Sequence, residues 1–143
     1  VNKNEVILNA PKRLKAVDIK TLPYPGFPTD MQSILGVTLT VSKGTSVIVE
    51  NIFENRYKYL NELTKMGAKF TVEGRTAVIK GTRRLNNANV RATDLRGGAA
   101  LVLAALNAKG RTCIENIEYI LRGYENLDIK LKSLGATIYI EEK

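Results

Sequence analysis

The 143 residues suffice for one domain with a buried core, and 44% apolar with 25% charged residues is the balance of a globular protein. One cysteine, Cys113, and no histidine exclude an internal disulfide, point to a reducing compartment and argue against a zinc site; no apolar run is long enough to cross a membrane and no secretory signal is present. The net charge of +8, from 22 basic and 14 acidic residues, means either solvated lysines or an anionic partner, nucleic acid or a small phosphorylated molecule.

In chain order, Val6-Ile7-Leu8 is a short apolar run that predicts a strand, residues 12–15 are basic and polar, and residues 16–20 alternate as a strand. Next comes Leu22-Pro23-Tyr24-Pro25-Gly26-Phe27-Pro28, whose prolines rule out a helix or central strand and make a stiff, extended loop. The loop ends on Thr29-Asp30-Met31-Gln32, where Thr29 and Gln32 fit a capping box and Asp30 falls in the first helical turn. The helix predicted from Asp30 to about Ser42 is apolar nearly all round, which predicts burial, and Gly44 stops it. A strand at 46–50, a turn at 51–55 and a helix at 56–66 follow; Tyr57, Leu60, Leu63 and Met66 form one stripe and Gly67 ends the helix. Phe70 and Val72 alternate, Glu73-Gly74-Arg75 turns, and Ala77-Val78-Ile79 completes a hairpin.

The same order then recurs. A strand at 89–92 leads through Thr93-Asp94 into a helix whose body, residues 99–106, is apolar on every face; Gly110 ends it and a strand at 112–115 follows. Tyr124, Leu127, Leu131 and Leu134 predict a one-sided helix closed by Gly135, and residues 137–141 predict a strand. Val49-Glu50-Asn51-Ile52 aligns with Ile114-Glu115-Asn116-Ile117, Arg56-Tyr57 with Arg122-Gly123-Tyr124, and Met66-Gly67-Ala68 with Leu134-Gly135-Ala136, at offsets of 65 to 68 residues. This internal repeat predicts strand–helix–strand–helix–strand–strand units: 1–15 as the end of a preceding unit, 16–81 as a full one, and 82–143 as one lacking its last strand. With Val1 in first place, the expectation is a fragment of a larger repeat protein, with apolar helices inside and sheets outside.

Charged residues recur at the element ends. Asp30 and Asp94 open the two apolar helices, Arg56 and Arg122 the two amphipathic ones, and Arg96 follows Asp94 closely. An arginine at a helix N-terminus opposes the macrodipole, so its repetition suggests either an anionic ligand or pairing with a glutamate such as Glu54 or Glu125. Asp30 either favours its helix end or is a base held by a rigid loop against a substrate hydroxyl. Glu54 either pairs with Arg56 or is a second acid/base, and Cys113 reads as a small core residue. No phosphate loop, dinucleotide glycine pattern or nucleophile elbow occurs.

Pro25-Gly26-Phe27-Pro28-Thr29-Asp30-Met31-Gln32, Phe53-Glu54-Asn55-Arg56, Ala92-Thr93-Asp94-Leu95-Arg96 and Arg122-Gly123-Tyr124-Glu125 together resemble the enolpyruvyl transferases, specifically the branch acting on UDP-N-acetylglucosamine. The resemblance covers nearly the whole chain and corresponds to roughly the last third of such an enzyme. It implies part of an inside-out α/β barrel (EPSP synthase-like) and transfer of the enolpyruvyl group of phosphoenolpyruvate to the sugar 3′-hydroxyl, releasing phosphate, in bacterial cytoplasmic peptidoglycan synthesis. By this resemblance Asp30 is the base that binds the 3′-hydroxyl and Ile52 contacts the nucleotide sugar through its backbone. Arg56 and Arg96 grip the phosphoenolpyruvate carboxylate, Arg122 lies near its phosphate, and Glu54 and Asp94 are polar groups of the same site. No metal or cofactor is implied, and neither a nucleic acid nor a membrane partner.

The family's mobile cysteine-bearing loop, with a lysine and further arginines, belongs to the other domain. Cys113 is not its counterpart, so the missing N-terminal part of the enzyme is the implied partner and the fragment alone is expected to be inactive. The shikimate branch carries a lysine-containing block where this chain has Arg122-Gly123-Tyr124-Glu125. The competing readings are that branch, a basic nucleic-acid module and a purely structural repeat piece. The enzyme readings require Asp30, Arg56, Arg96 and Arg122 to converge on one solvent-facing cleft.

Overall fold

The computed structural model describes residues 4–141, so both chain ends used to bound the repeat units lie outside the described residues. Strands β1 (Ile19–Lys20), β2 (Thr45–Val49), β3 (Lys69–Glu73) and β4 (Thr76–Lys80) form one sheet in the order β1-β2-β4-β3. β1 and β2 are parallel, joined by α1 (Gln32–Thr40), as a parallel pair requires a crossover. Helix α2 (Lys58–Lys65) connects β2 to the β3–β4 hairpin, whose turn places Gly74 at φ +56, open to glycine at no steric cost. A second parallel pair, β5 (Asn89–Arg91) and β6 (Cys113–Glu115), is crossed by α3 (Leu95–Asn107) in the same way.

Alternation along the larger sheet decides which face is covered. Ser46, Ile48, Ala77 and Ile79 are buried, while Val78 remains open on the outer face. Against the buried face sits a core built from Val37 and Leu39 of α1, Tyr59, Leu60 and Leu63 of α2 with the adjacent Met66, and Ala100, Leu101 and Ala104 of α3. Burying each of the larger side chains contributes about 1.5–3 kcal/mol. Gly36 lets α1 meet α2 closely, because a Cβ there would collide with the Tyr59 hydroxyl. The helices thus lie on the inner side of the sheet, as the apolar patterning predicts.

Three expectations need correction. Residues 6–8 form no strand and are exposed, and 137–141 run without ladder partners among the described residues. Both are strand-like in pattern but have no neighbour to supply the hydrogen bonds. The helix expected around 124–134 is α5 (Leu127–Ser133), entered through Asn126 at φ +51, but the stretch before it, expected as a turn, holds a short helix α4 (Glu118–Leu121). Arg122 therefore caps the C-terminal end of α4 rather than opening a helix, where a cation suits the dipole.

Candidate functional site

The proline loop is closed on itself. Leu22 N–H donates to Phe27 O at 3.0 Å and Gly26 N–H to Pro23 O at 2.8 Å. Its exit is a single 3-10 turn, Thr29–Met31, leading into α1. No capping box forms there. The Thr29 hydroxyl turns away from the helix, donating to Glu50 Oε2 at 3.0 Å and accepting from Arg56 Nε at 3.2 Å. Tertiary donors and acceptors outcompete the local cap. Asp30 is left at the helix mouth with its side chain 57% exposed.

Two arginines from distant segments meet that carboxylate. Arg96, in the first turn of α3, donates from Nη2 to Asp30 Oδ2 at 2.8 Å, and its Nη1 donates to the Tyr124 hydroxyl at 3.3 Å. Arg56, just before α2, brings Nη2 to 3.6 Å from Asp30 Oδ1. Only 7% of its side chain is exposed, and its guanidinium lies 4.1 Å over the Phe53 ring. The hydrogen bond from Arg96, reinforced by both positive charges and opposed by partial burial, holds the Asp30 carboxyl below its ordinary value of 3.8. The same pairing, with Tyr124, pushes Arg96 up.

The remaining candidates surround this cluster or stand off from it. Glu54 is exposed and forms no ion pair with Arg56; with Ile52 and Arg56 it lines a cavity of about 310 Å³ below the β3–β4 turn. Asp94 caps α3, its Oδ1 accepting from Gly97 N–H at 2.8 Å and Oδ2 from the Thr93 hydroxyl, so it fixes the helix start that carries Arg96. Arg122 is close by backbone only: Gly123 abuts Leu95 and Tyr124 touches Arg96. Its guanidinium is stacked 5.4 Å over Tyr119 instead of reaching Asp30, so three of the four expected tips converge. The larger cavity, about 770 Å³, lies between α3, β6 and α5, is lined by residues such as Leu106, Ile114 and Leu127, and holds none of these candidates; Cys113 is on its wall. No cluster able to hold a metal ion occurs among the described residues.

Glu50 escaped the sequence reading. Its side chain, 3% exposed, accepts from the Thr21 hydroxyl (2.8 Å), the Thr29 hydroxyl and the N–H groups of Ile52 (2.9 Å) and Phe53 (3.0 Å). Burial pushes the carboxyl up, but these hydrogen bonds outweigh it and hold the group below its ordinary 4.5. A glutamate closing a strand carries no signal for this; only the tertiary arrival of Thr21 and Thr29 creates it.

The family model of EPSP synthase (3-phosphoshikimate 1-carboxyvinyltransferase) matches residues 1–140. A UDP-N-acetylglucosamine 1-carboxyvinyltransferase of Desulfofundulus thermocisternus is 59% identical over 136 residues, covering 95% of this chain and 56% of the relative. One from Thermodesulfovibrio yellowstonii is 56% identical over 135 residues, 94% of this chain and 32% of the relative. The crystal structure of the enolpyruvyl transferase NikO from Streptomyces tendae superposes with a TM-score of 0.80 at 32% identity, over 87% of this chain and 29% of that one. EPSP synthase from Acinetobacter baumannii matches with a TM-score of 0.53 at 20% identity, over 73% of this chain and 24% of that one, a likeness of fold alone. The chain spans between about a third and just over half of these curated relatives. The α/β arrangement, helices inside and sheet outside, is the corresponding part of the inside-out barrel.

Proposed function

Since the chain belongs to the EPSP synthase family of enolpyruvyl transferases, we propose that it carries part of the active site of a UDP-N-acetylglucosamine 1-carboxyvinyltransferase. The enzyme would act in the bacterial cytoplasm at the first committed step of peptidoglycan synthesis. Residues 16–81 and 82–143 would be two of its repeat units. The names of the relatives favour this branch over the shikimate one. The observation that carries the reading is the clasp of Asp30 by Arg96 and Arg56.

In that clasp the Asp30 carboxylate occupies the place a substrate carboxylate would take. Planar guanidinium groups suit such an anion in paired contacts. Phosphoenolpyruvate would draw Arg56 and Arg96 onto its own carboxylate. Asp30, released from the hydrogen bond that depresses it, would regain proton affinity and accept the proton of the sugar 3′-hydroxyl as its oxygen bonds to the central carbon of phosphoenolpyruvate. The double-bond pair would meanwhile take a proton at the methylene carbon, from a general acid in the rest of the enzyme, to make a methyl group. Loss of a proton from the added methyl and departure of phosphate would then regenerate the enol double bond. The proline loop supplies the fixed approach such a base needs. The Ile52 N–H is occupied by Glu50, so a backbone contact from Ile52 to the nucleotide sugar would use its carbonyl. Arg122 would leave Tyr119 to meet the phosphate, Asp94 would hold Arg96 in place through the helix it caps, and Glu54 would face the small cavity.

The test is substitution in the full-length protein carrying this segment. Asp30→Asn should lower kcat by about 100-fold or more, the scale of general-base catalysis, in assays of phosphate release. Arg96→Lys should chiefly raise the KM for phosphoenolpyruvate. Undiminished turnover in Asp30→Asn would refute the assignment.

A further inference from the structure

We propose that Glu50 is a positioning residue for phosphoenolpyruvate binding, setting the direction of the Arg56 guanidinium from behind. The inference rests on the functional reading above and assigns a role to a residue that touches no substrate there.

Two chains of contact run from this one carboxylate to Arg56. Along the first, Oε2 takes the single hydroxyl proton of Thr29, which leaves the lone pairs of that oxygen facing Arg56 Nε at 3.2 Å. Along the second, Oε1 takes the Phe53 N–H at 3.0 Å and so fixes the ring on which the guanidinium rests at 4.1 Å. Nε and one face of Arg56 are thereby committed, and its Nη2 end points at Asp30. Thr21 and the Ile52 N–H complete the carboxylate's shell, so all four donors are neutral.

Burying a carboxylate without a cation is expensive unless its hydrogen bonds are met, and here they are met by groups that shape the site. The repeat does not impose this arrangement. Glu115, at the matching place in the second unit and the last residue of β6, is 33% exposed and bonded to Arg91 at 2.7 Å. The buried form occurs in the unit that holds Asp30 and Arg56.

The experiment uses the full-length protein with Glu50→Ala, Glu50→Gln, Thr29→Val and Thr29→Ser, measuring kcat and KM for phosphoenolpyruvate. The Arg56 Nε–H proton resonance is followed in arginine-labelled protein and assigned by its loss in Arg56→Lys. Thr29→Val and Glu50→Ala should raise that KM about tenfold, the scale of one hydrogen bond to a charged group, with a smaller change in kcat. The Arg56 resonance should move toward those of solvent-exposed arginines. Glu50→Gln, which still offers an oxygen to the loop and can donate to Thr29, and Thr29→Ser should restore both. If Glu50→Ala fails to fold, the near-isosteric Thr29→Val decides. An unchanged KM and resonance in folded Thr29→Val would overturn the proposal even if Asp30→Asn abolishes turnover. Active Asp30→Asn would overturn the functional reading instead, while the Arg56 resonance would still report whether Glu50 orients it.

Discussion

The two carboxylates of the site are held in different ways, and acid should separate them. Asp30 is largely exposed and is depressed mainly by the hydrogen bond from Arg96, so solvent screening discounts its share of stability. Glu50 is buried, and its depression comes from neutral donors that salt does not screen. A folded-state pKa below the unfolded one contributes stability that is present above the unfolded value and lost as pH falls through the folded one. The urea midpoint should therefore hold from neutrality down to about pH 5, then fall below the ordinary glutamate value of 4.5. Glu50→Gln should flatten that acid limb at a lower plateau, and adding salt should alter it little. At this scale the sequence was legible where a residue acts alone: Asp94 does open α3, with its side chain on the Gly97 N–H. It misled where tertiary partners compete. Thr29 and Gln32 have the spacing of a capping box, yet Thr29 bonds Glu50 and Arg56 while Gln32 is wholly buried.

At the scale of elements, α1 and α2 interlock through a glycine and a tyrosine. Tyr59 is fully buried and its hydroxyl has no hydrogen-bond partner among the described residues, although burial drives its pKa far up. The hydroxyl sits where a Gly36 side chain would be. Gly36→Ala should destabilise by about 1–3 kcal/mol through overpacking. Tyr59→Phe should be neutral or slightly stabilising, because it deletes an unsatisfied buried group. In the double variant much of the Gly36→Ala cost should disappear, a coupling that chemical denaturation of the four proteins would measure. Independent costs that simply add would mean the contact is not the source. The stripe Tyr57, Leu60, Leu63 and Met66 was readable from period alone, since three of its members are fully buried. Tyr59 lies off that stripe. Its burial follows from α3 packing on a second side of α2, and a single helix's periodicity carries no record of how many neighbours it has.

Across the whole molecule, one half of the helical layer is dressed and the other is not. The α1–α2 side is covered by a four-stranded sheet, whereas α3 has only the β5–β6 pair, leaving Leu103 and Leu106 at 36% and 45% exposure. Leu106 opens onto the 770 Å³ groove, and residues 137–141 pass along it without pairing. Strand patterning at 6–8 and 137–141 records a propensity, but a ladder needs a second strand, and none of the described segments provides one. The proposed site is incomplete in the same sense: Asp30 and two arginines meet, yet the Arg122 guanidinium rests on Tyr119. Both gaps lead to one expectation for the 143-residue chain by itself. Given phosphoenolpyruvate and UDP-N-acetylglucosamine it should release no phosphate above background. It should also self-associate as its concentration rises, through the apolar groove and open strand edges, in sedimentation velocity runs. Supplying the complementary part of the proposed enzyme should suppress the association and produce turnover, because the added part would cover the groove and complete the cluster. Turnover by the isolated chain would place the entire machinery within these residues, whereas a strictly monomeric chain would show that the groove is not a contact surface.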